Sequence, residues 1–227
     1  PVPPSLQQSV PLINADDAWA VGQTGSGHAV VVLDTGVELT HPMMAGKIIS
    51  EACYSTTVTT YTYTATSLCP GGVASSTASG SGNDCATSIS GCGHGTHVAG
   101  IAAGSVAANS LYGVARGANV IAMQIFSRIA SVSLCGSSTP CALTFTSDQI
   151  AALERVNTLA TGGTPIASVN MSLGGSRNYG FCDSDSRKAI IDTLRSRGVA
   201  TVIASGNNGY SDSMSSPACI STAISTV

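Results

Sequence analysis

Five short runs of apolar, mostly β-branched residues recur along this chain with helix-like stretches between some of them, and that alternation restricts the fold more than any other feature. The first, residues 28–33, is bounded by Gly27 and by Asp34-Thr35-Gly36, and residues 120–126, 166–170, 199–204 and 220–227 repeat the pattern. Continuous apolar runs of this length belong to strands buried on both faces. Ser147-Asp148 stands where a helix cap would, ahead of Ile150, Leu153, Val156 and Leu159 on one face, and Gly162-Gly163 stops the pattern. A second helical stretch follows Asp183 to Asp185, with Ala189, Ile190 and Leu194 directed inward, Arg195 and Arg197 in the last turn, and Gly198 after it. Strands separated by helices predict an α/β fold, a parallel β-sheet flanked by helices on both faces.

At 227 residues the chain fits one domain with its own core. Residues 53–92 depart from the alternation, being Thr-, Ser- and Gly-rich with four cysteines. They read as a long surface excursion held by disulfides, with a low-complexity loop tip at residues 75–82. Charged residues make up 9% of the chain and the net charge is −3, with no basic cluster of the kind that binds nucleic acid. No apolar run is long enough to span a membrane, and Pro1-Val2-Pro3-Pro4 has neither the basic start nor the apolar middle of a signal peptide, so any leader is expected to be absent from these residues. The eight cysteines form an even set without a CxxC pair, which points to disulfides and an oxidising, extracellular compartment.

Two polar sites follow apolar runs and a third opens a helix. Asp34 lies just past the first, at the carboxyl edge where open α/β sheets place their binding crevice, and can orient an imidazole there. Asp-Thr-Gly is equally well a plain turn, and the aspartic-protease reading lacks a second such triplet. His94 precedes a helix of small and apolar residues, 98–103, whose N-terminal partial charge disfavours the imidazolium and leaves His94 a base. His94 and His97 with Cys92 read alternatively as metal ligands, although no coherent fourth ligand accompanies them. Gly206-Asn207-Asn208-Gly209 follows the fourth run, where an Asn amide can donate to a developing oxyanion or simply form a turn.

Taken together, Asp34-Thr35-Gly36, His94-Gly95-Thr96-His97-Val98-Ala99-Gly100, Asn170-Met171-Ser172-Leu173-Gly174-Gly175 and Ala204-Ser205-Gly206-Asn207 resemble the subtilisin-like serine proteases, the subtilases, from about Pro11 onward. The resemblance implies a three-layer α/β/α fold, with Asp34 as orienting acid, His94 as general base and Asn207 as side-chain oxyanion donor. It implies that Ser172, Leu173 and Gly174 pair with an extended peptide or protein substrate, and that Ala204, Ser205 and Gly206 form the other wall of the primary specificity pocket. Neither wall carries a charged residue and Asn208 is neutral, so an apolar or aromatic side chain is expected before the scissile bond.

The pattern breaks at the nucleophile. The family carries its serine in Gly-Thr-Ser-Met-Ala, roughly 65 residues beyond the oxyanion Asn, whereas 20 residues follow Asn207 here. Ser213-Met214-Ser215-Ser216-Pro217 imitates that motif but lacks the Gly-Thr lead, and Pro217 leaves no room for the helix that should follow. The expectation is therefore residues 1–227 as a single truncated catalytic domain, incomplete at its C-terminus and inactive alone, which a pro-segment, a complementary C-terminal fragment or self-association would complete. A non-catalytic peptide-binding module is the alternative. Calcium is the family's usual ion, but Met43 stands where many relatives place a ligating Asp, and the loop at residues 109–113 is short, so the usual calcium site is expected to be absent, calcium binding elsewhere stays open, and no other cofactor is expected. Nesting and the resemblance suggest the disulfides Cys53 with Cys92, Cys69 with Cys85, Cys135 with Cys141, and Cys182 with Cys219.

Overall fold

The computed structural model describes residues 6–226, so Pro1-Val2-Pro3-Pro4 and Val227, the last residue of the fifth expected strand, lie outside the described residues. A seven-stranded sheet forms the middle layer. Its strands are β1 (Ala29–Asp34), β2 (Ile48–Tyr54), β3 (Ser75–Ser76), β4 (Asn119–Gln124), β5 (Ile166–Met171), β6 (Ala200–Ala204) and β7 (Ile224–Thr226), in the spatial order β7-β6-β5-β1-β4-β2-β3. Every pairing is parallel except that of β2 with the two-residue edge strand β3. All five expected strands are present; β7 is shorter than its run, because residues 217–223 form turns that bury Pro217, Ala218, Cys219 and Ile220. Strand β2 went unrecognised, since Ile-Ile-Ser-Glu-Ala-Cys-Tyr mixes polar and apolar residues along an inner position near the sheet edge.

On one face, α4 (Thr146–Thr161) and α5 (Lys188–Ser196) place Leu153, Val156, Ile191 and Leu194 against Val31, Leu33, Val169 and Ile203. Each such aliphatic side chain, fully buried, contributes about 1.5–3 kcal/mol. The expected cap differs, because Asp148 lies inside the first turn of α4, where its carboxylate accepts from the Thr56 backbone N–H at 3.0 Å and the Thr56 hydroxyl at 2.9 Å. In α5 the inward trio is Ile190, Ile191 and Leu194, and Ala189 faces solvent. On the opposite face, α3 (His94–Ala103) lays Ala99 and Ala103 on Val32, Val120 and Ala122, with Met43 and Met44 filling the same apolar cluster. Two N-terminal helices, α1 (Leu6–Leu12) and α2 (Ala15–Ala20), precede β1. Beyond α3 this face is open: Ala167 is exposed, and Ser168, Asn170 and Val202 are only partly buried.

Residues 53–92 are more ordered than their composition suggests. Val58–Thr59 and Thr64–Ser67 join Ser127–Ala130 and Cys141–Leu143 in a four-stranded antiparallel sheet. The disulfides correct the nested scheme: Cys53 pairs with Cys69 and Cys85 with Cys92, while Cys135–Cys141 and Cys182–Cys219 are as expected. The small sheet folds the chain back so that Cys69 meets β2 at a Cα separation of 5.5 Å from Cys53. Cys85 and Cys92, at a sequence separation of 7, close their own turn, so both links are local. Ser90, inside that turn, is stitched to Cys141–Leu143: its N–H donates to Pro140 O at 2.9 Å, and its carbonyl accepts from Ala142 N at 2.8 Å.

Candidate active site

The carboxyl ends of β1, β5 and β6 meet α3 at one rim of the sheet. Asp34 ends β1 and is fully buried, and its Oδ1 accepts from the Thr35 N–H at 2.7 Å. His94 opens α3, and its Nδ1 lies 2.8 Å and 3.0 Å from the two Asp34 oxygens. An ionised carboxylate only accepts, so Nδ1 carries the hydrogen and Nε2 keeps its lone pair free. The Asp34 side chain has no solvent exposure whereas that of His94 is 49% exposed, so the carboxylate is sealed behind an imidazole that faces outward.

The approach is close because α3 enters on a glycine. A Cβ on Gly95 would stand 2.1 Å from the Gly36 carbonyl oxygen and 3.0 Å from Asp34 Cβ. Gly95 N donates to the Thr35 hydroxyl at 3.0 Å, and that hydroxyl donates to Asp84 Oδ1 at 3.1 Å. The other Asp84 oxygen accepts from the Thr96 hydroxyl at 2.8 Å, which itself accepts from Glu38 N at 2.8 Å. One carboxylate thus holds both the turn after Asp34 and the first turn of α3. Asp84, Thr35 and Thr96 were not among the expected site residues, although Asp84 is the only charged side chain between residues 52 and 93, which was a legible signal.

The hydrogen bond that His94 donates to Asp34 raises the pKa of His94 above the ordinary histidine value. Burial opposes that shift, and the negative charges of Asp34 and Asp84 add to it. The net direction is opposite to the one expected from the helix N-terminus, because the bonded carboxylate outweighs the partial charge of the helix end.

Asn207 is exposed on the segment after β6, and its side chain makes no hydrogen bond among the described residues. It borders a cavity of about 170 Å³ with Ser172, Leu173, Gly174, Ala204 and Gly206, and Gly175, Asn208 and Ser215 complete the lining. Gly206 (φ 120°) is required here, since a Cβ would stand 2.4 Å from Ser215 Oγ. Ser205 does not line the cavity; its N–H donates to Thr226 O and its carbonyl accepts from Ser215 N, both at 2.8 Å. A second cavity, of about 370 Å³, lies between His94, Phe126, Ala142, Leu143 and the same Ser172-Leu173-Gly174 segment, which therefore forms the ridge between the two. Phe126 and Leu143 were not expected at the site. Ser215 lines only the Asn207 cavity, and none of residues 213–216 lines the one beside His94. Outside the Asn207 cavity, Arg177 clamps the wall segments, stacking 4.5 Å from the Tyr179 ring centroid and 4.2 Å from that of Tyr210 while donating to Asp212 at 2.6 Å.

The alternative metal set fails on its ligands: Cys92 is bonded to Cys85, and His94 Nδ1 is engaged by Asp34. Among the described residues, the one cluster of potential ligands is Asp84 with that same cystine.

A buried carboxylate, an imidazole and an exposed amide thus lie along the carboxyl edge of a parallel sheet. The chain belongs to the subtilase family, whose model matches residues 25–227. It is similar to the Minor extracellular protease Vpr of Bacillus subtilis, with 32% identity over 209 residues covering 92% of this chain and 21% of that protein. It is also similar to an extracellular protease of Xanthomonas campestris, with 31% identity covering 91% of this chain and 33% of that one. Among solved structures, Sphericase superposes with a TM-score of 0.61 at 27% identity, over 89% of this chain and 53% of its own. The S41 psychrophilic protease gives 0.60 at 25%, with the same coverage. The chain thus spans about half the length of these structures and a third or less of the two curated relatives.

Proposed function

We propose that this chain supplies the acid and the base of a secreted serine endopeptidase. The observation that carries the reading is the buried Asp34 carboxylate clasping Nδ1 of a half-exposed His94, which leaves Nε2 free beside the larger cavity. Asp34 fixes the imidazole's tautomer and orientation, and Nε2 takes the proton from a serine hydroxyl that these 227 residues do not contain in the family's motif. Asn207 donates to the oxyanion. Ser172-Leu173-Gly174 receives an extended peptide as an added strand, with one cavity on either side. Neither cavity is lined by Lys, Arg, Asp or Glu, which supports apolar or aromatic side chains before the scissile bond. The extracellular names of two relatives and the four disulfides support secretion. The buried thioether of Met43 offers calcium no hard oxygen at that position.

The isolated 227 residues are expected not to hydrolyse peptides. The test is labelling of the parent protein by a fluorophosphonate. Covalent labelling that is lost on His94→Ala supports the protease. A parent that binds extended peptides yet never labels is instead a binding module.

A further inference from the structure

Of the nine asparagines in the chain, only Asn208 precedes a glycine. Asn208 and Gly209 are both exposed and lie outside any helix or strand. Gly209 sits at φ 67° with nothing within 4 Å of its would-be Cβ. Among the described residues neither the Asn208 amide nor the Gly209 N–H is held by a hydrogen bond. Asn208 nevertheless borders the cavity that Asn207 borders, and no ionisable side chain lines that cavity.

We propose that Asn208-Gly209 is a self-modifying site whose deamidation rewrites the charge and shape of the Asn207 cavity. The Gly209 backbone nitrogen gives its proton to solvent base and bonds to Asn208 Cγ. The Cγ–Nδ2 bond breaks and ammonia leaves, forming a cyclic succinimide. Water then adds to one of the two ring carbonyls. Opening at one C–N bond gives aspartate, and opening at the other gives isoaspartate, with the backbone running through Cγ. Nothing is oxidised or reduced, and water is the only co-reactant. Glycine permits the attack because it places no side chain in the path of its own nitrogen and leaves the backbone free to swing.

Both products act on the cavity. A carboxylate at 208 adds the only charge to an uncharged lining and favours a cationic side chain there. An isoaspartate inserts one extra backbone atom directly after Asn207 and displaces its amide. These consequences rest on the protease reading above; the modification itself does not.

The test begins with the folded chain held in mildly alkaline buffer, with the same chain unfolded in urea as control. Tryptic mapping of the peptide after Arg197 and isoaspartate-specific methylation follow the conversion. Aspartate and isoaspartate accumulating at 208 in the folded chain, slowed several-fold by Gly209→Ala, support the proposal. Residue 208 remaining asparagine in the folded chain while the unfolded control converts overturns it. In the active parent protease, Asn208→Asp is expected to raise cleavage after Lys or Arg relative to Phe by about tenfold, the effect of one unit charge at a partly solvated rim. An isoaspartate-enriched sample should lose turnover by up to about 10²- to 10³-fold, the range established for removing one oxyanion donor in subtilisin. An unchanged cleavage ratio with Asn208→Asp overturns the proposed effect on the cavity. A parent that cleaves nothing before modification refutes the protease reading instead and leaves the mapping result standing.

Discussion

The closeness of α3 to β1 can be tested by adding a single methyl group. In Gly95→Ala the new Cβ would lie 2.1 Å from the Gly36 carbonyl oxygen, and a normal contact of about 3.5 Å requires the first turn of the helix to retreat by about 1 Å or more. Both obstructing atoms belong to the turn that carries Asp34, so no flexible side chain can yield. Overpacking of this kind costs about 1–3 kcal/mol, which for a chain of this size lowers Tm by roughly 2–12 °C. The same retreat pulls His94 Nδ1 away from oxygens now at 2.8 Å and 3.0 Å, so the downfield Nδ1 proton should disappear from the NMR spectrum. In the active parent, a misplacement of about 1 Å is expected to cost about 10²-fold in turnover. Gly100→Ala is the internal control: it lies on the same helix, but its Cβ would make an ordinary 3.6 Å contact with Met43 Sδ. That change should stabilise the helix by about 0.5–1 kcal/mol. Equal melting temperatures for the two variants, with the Nδ1 proton retained in Gly95→Ala, would refute the argument.

Three further outcomes are expected. Because the folded pKa of His94 is raised by Asp34, its contribution to stability is complete below the unfolded histidine value of about 6.5 and is lost as pH rises through the folded pKa. Urea midpoints should fall over that interval, and Asp34→Asn should flatten the dependence. Asp84→Asn keeps the size of the side chain but removes the charge, so NMR titration should show the His94 pKa falling, whereas Asp84→Leu should also loosen the first turn of α3 in hydrogen exchange. Removing Cys182–Cys219, with a sequence separation of 37, should cost about 4 kcal/mol, and removing Cys135–Cys141, with a separation of 6, about 2 kcal/mol. A reversed ranking in double-alanine variants would contradict the chain-entropy account.

The parallel strands were legible because Val30 to Leu33 are apolar without interruption, as burial on both faces requires, and their counterparts repeat part of that pattern. The positions of Asp34 and Asn207 were legible because each follows a buried strand, and that of His94 because it opens a helix of small residues that packs on the sheet. What escaped depends on distant partners. Thr64–Ser67 becomes a strand only because Ser127–Ala130 lies beside it, and a Thr-rich segment carries no periodicity of its own. Asp148 resembles a helix cap until Thr56, 92 residues away, claims its carboxylate. The cysteine pairs at 53–69 and 85–92 follow from where that small sheet turns the chain, which spacing alone does not encode. Leu143 reaches the groove for the same reason, on a strand that its own residues do not announce.

The stitch between Ser90 and the strand Cys141–Leu143 joins a wall of the larger groove to the few residues that lead into His94. A ligand pressing on Ala142 and Leu143 therefore leans on the same lever that seats the imidazole. On the protease reading, lengthening a peptide along that wall should quicken each catalytic cycle as well as tighten the grip, because occupancy of the groove steadies the proton acceptor.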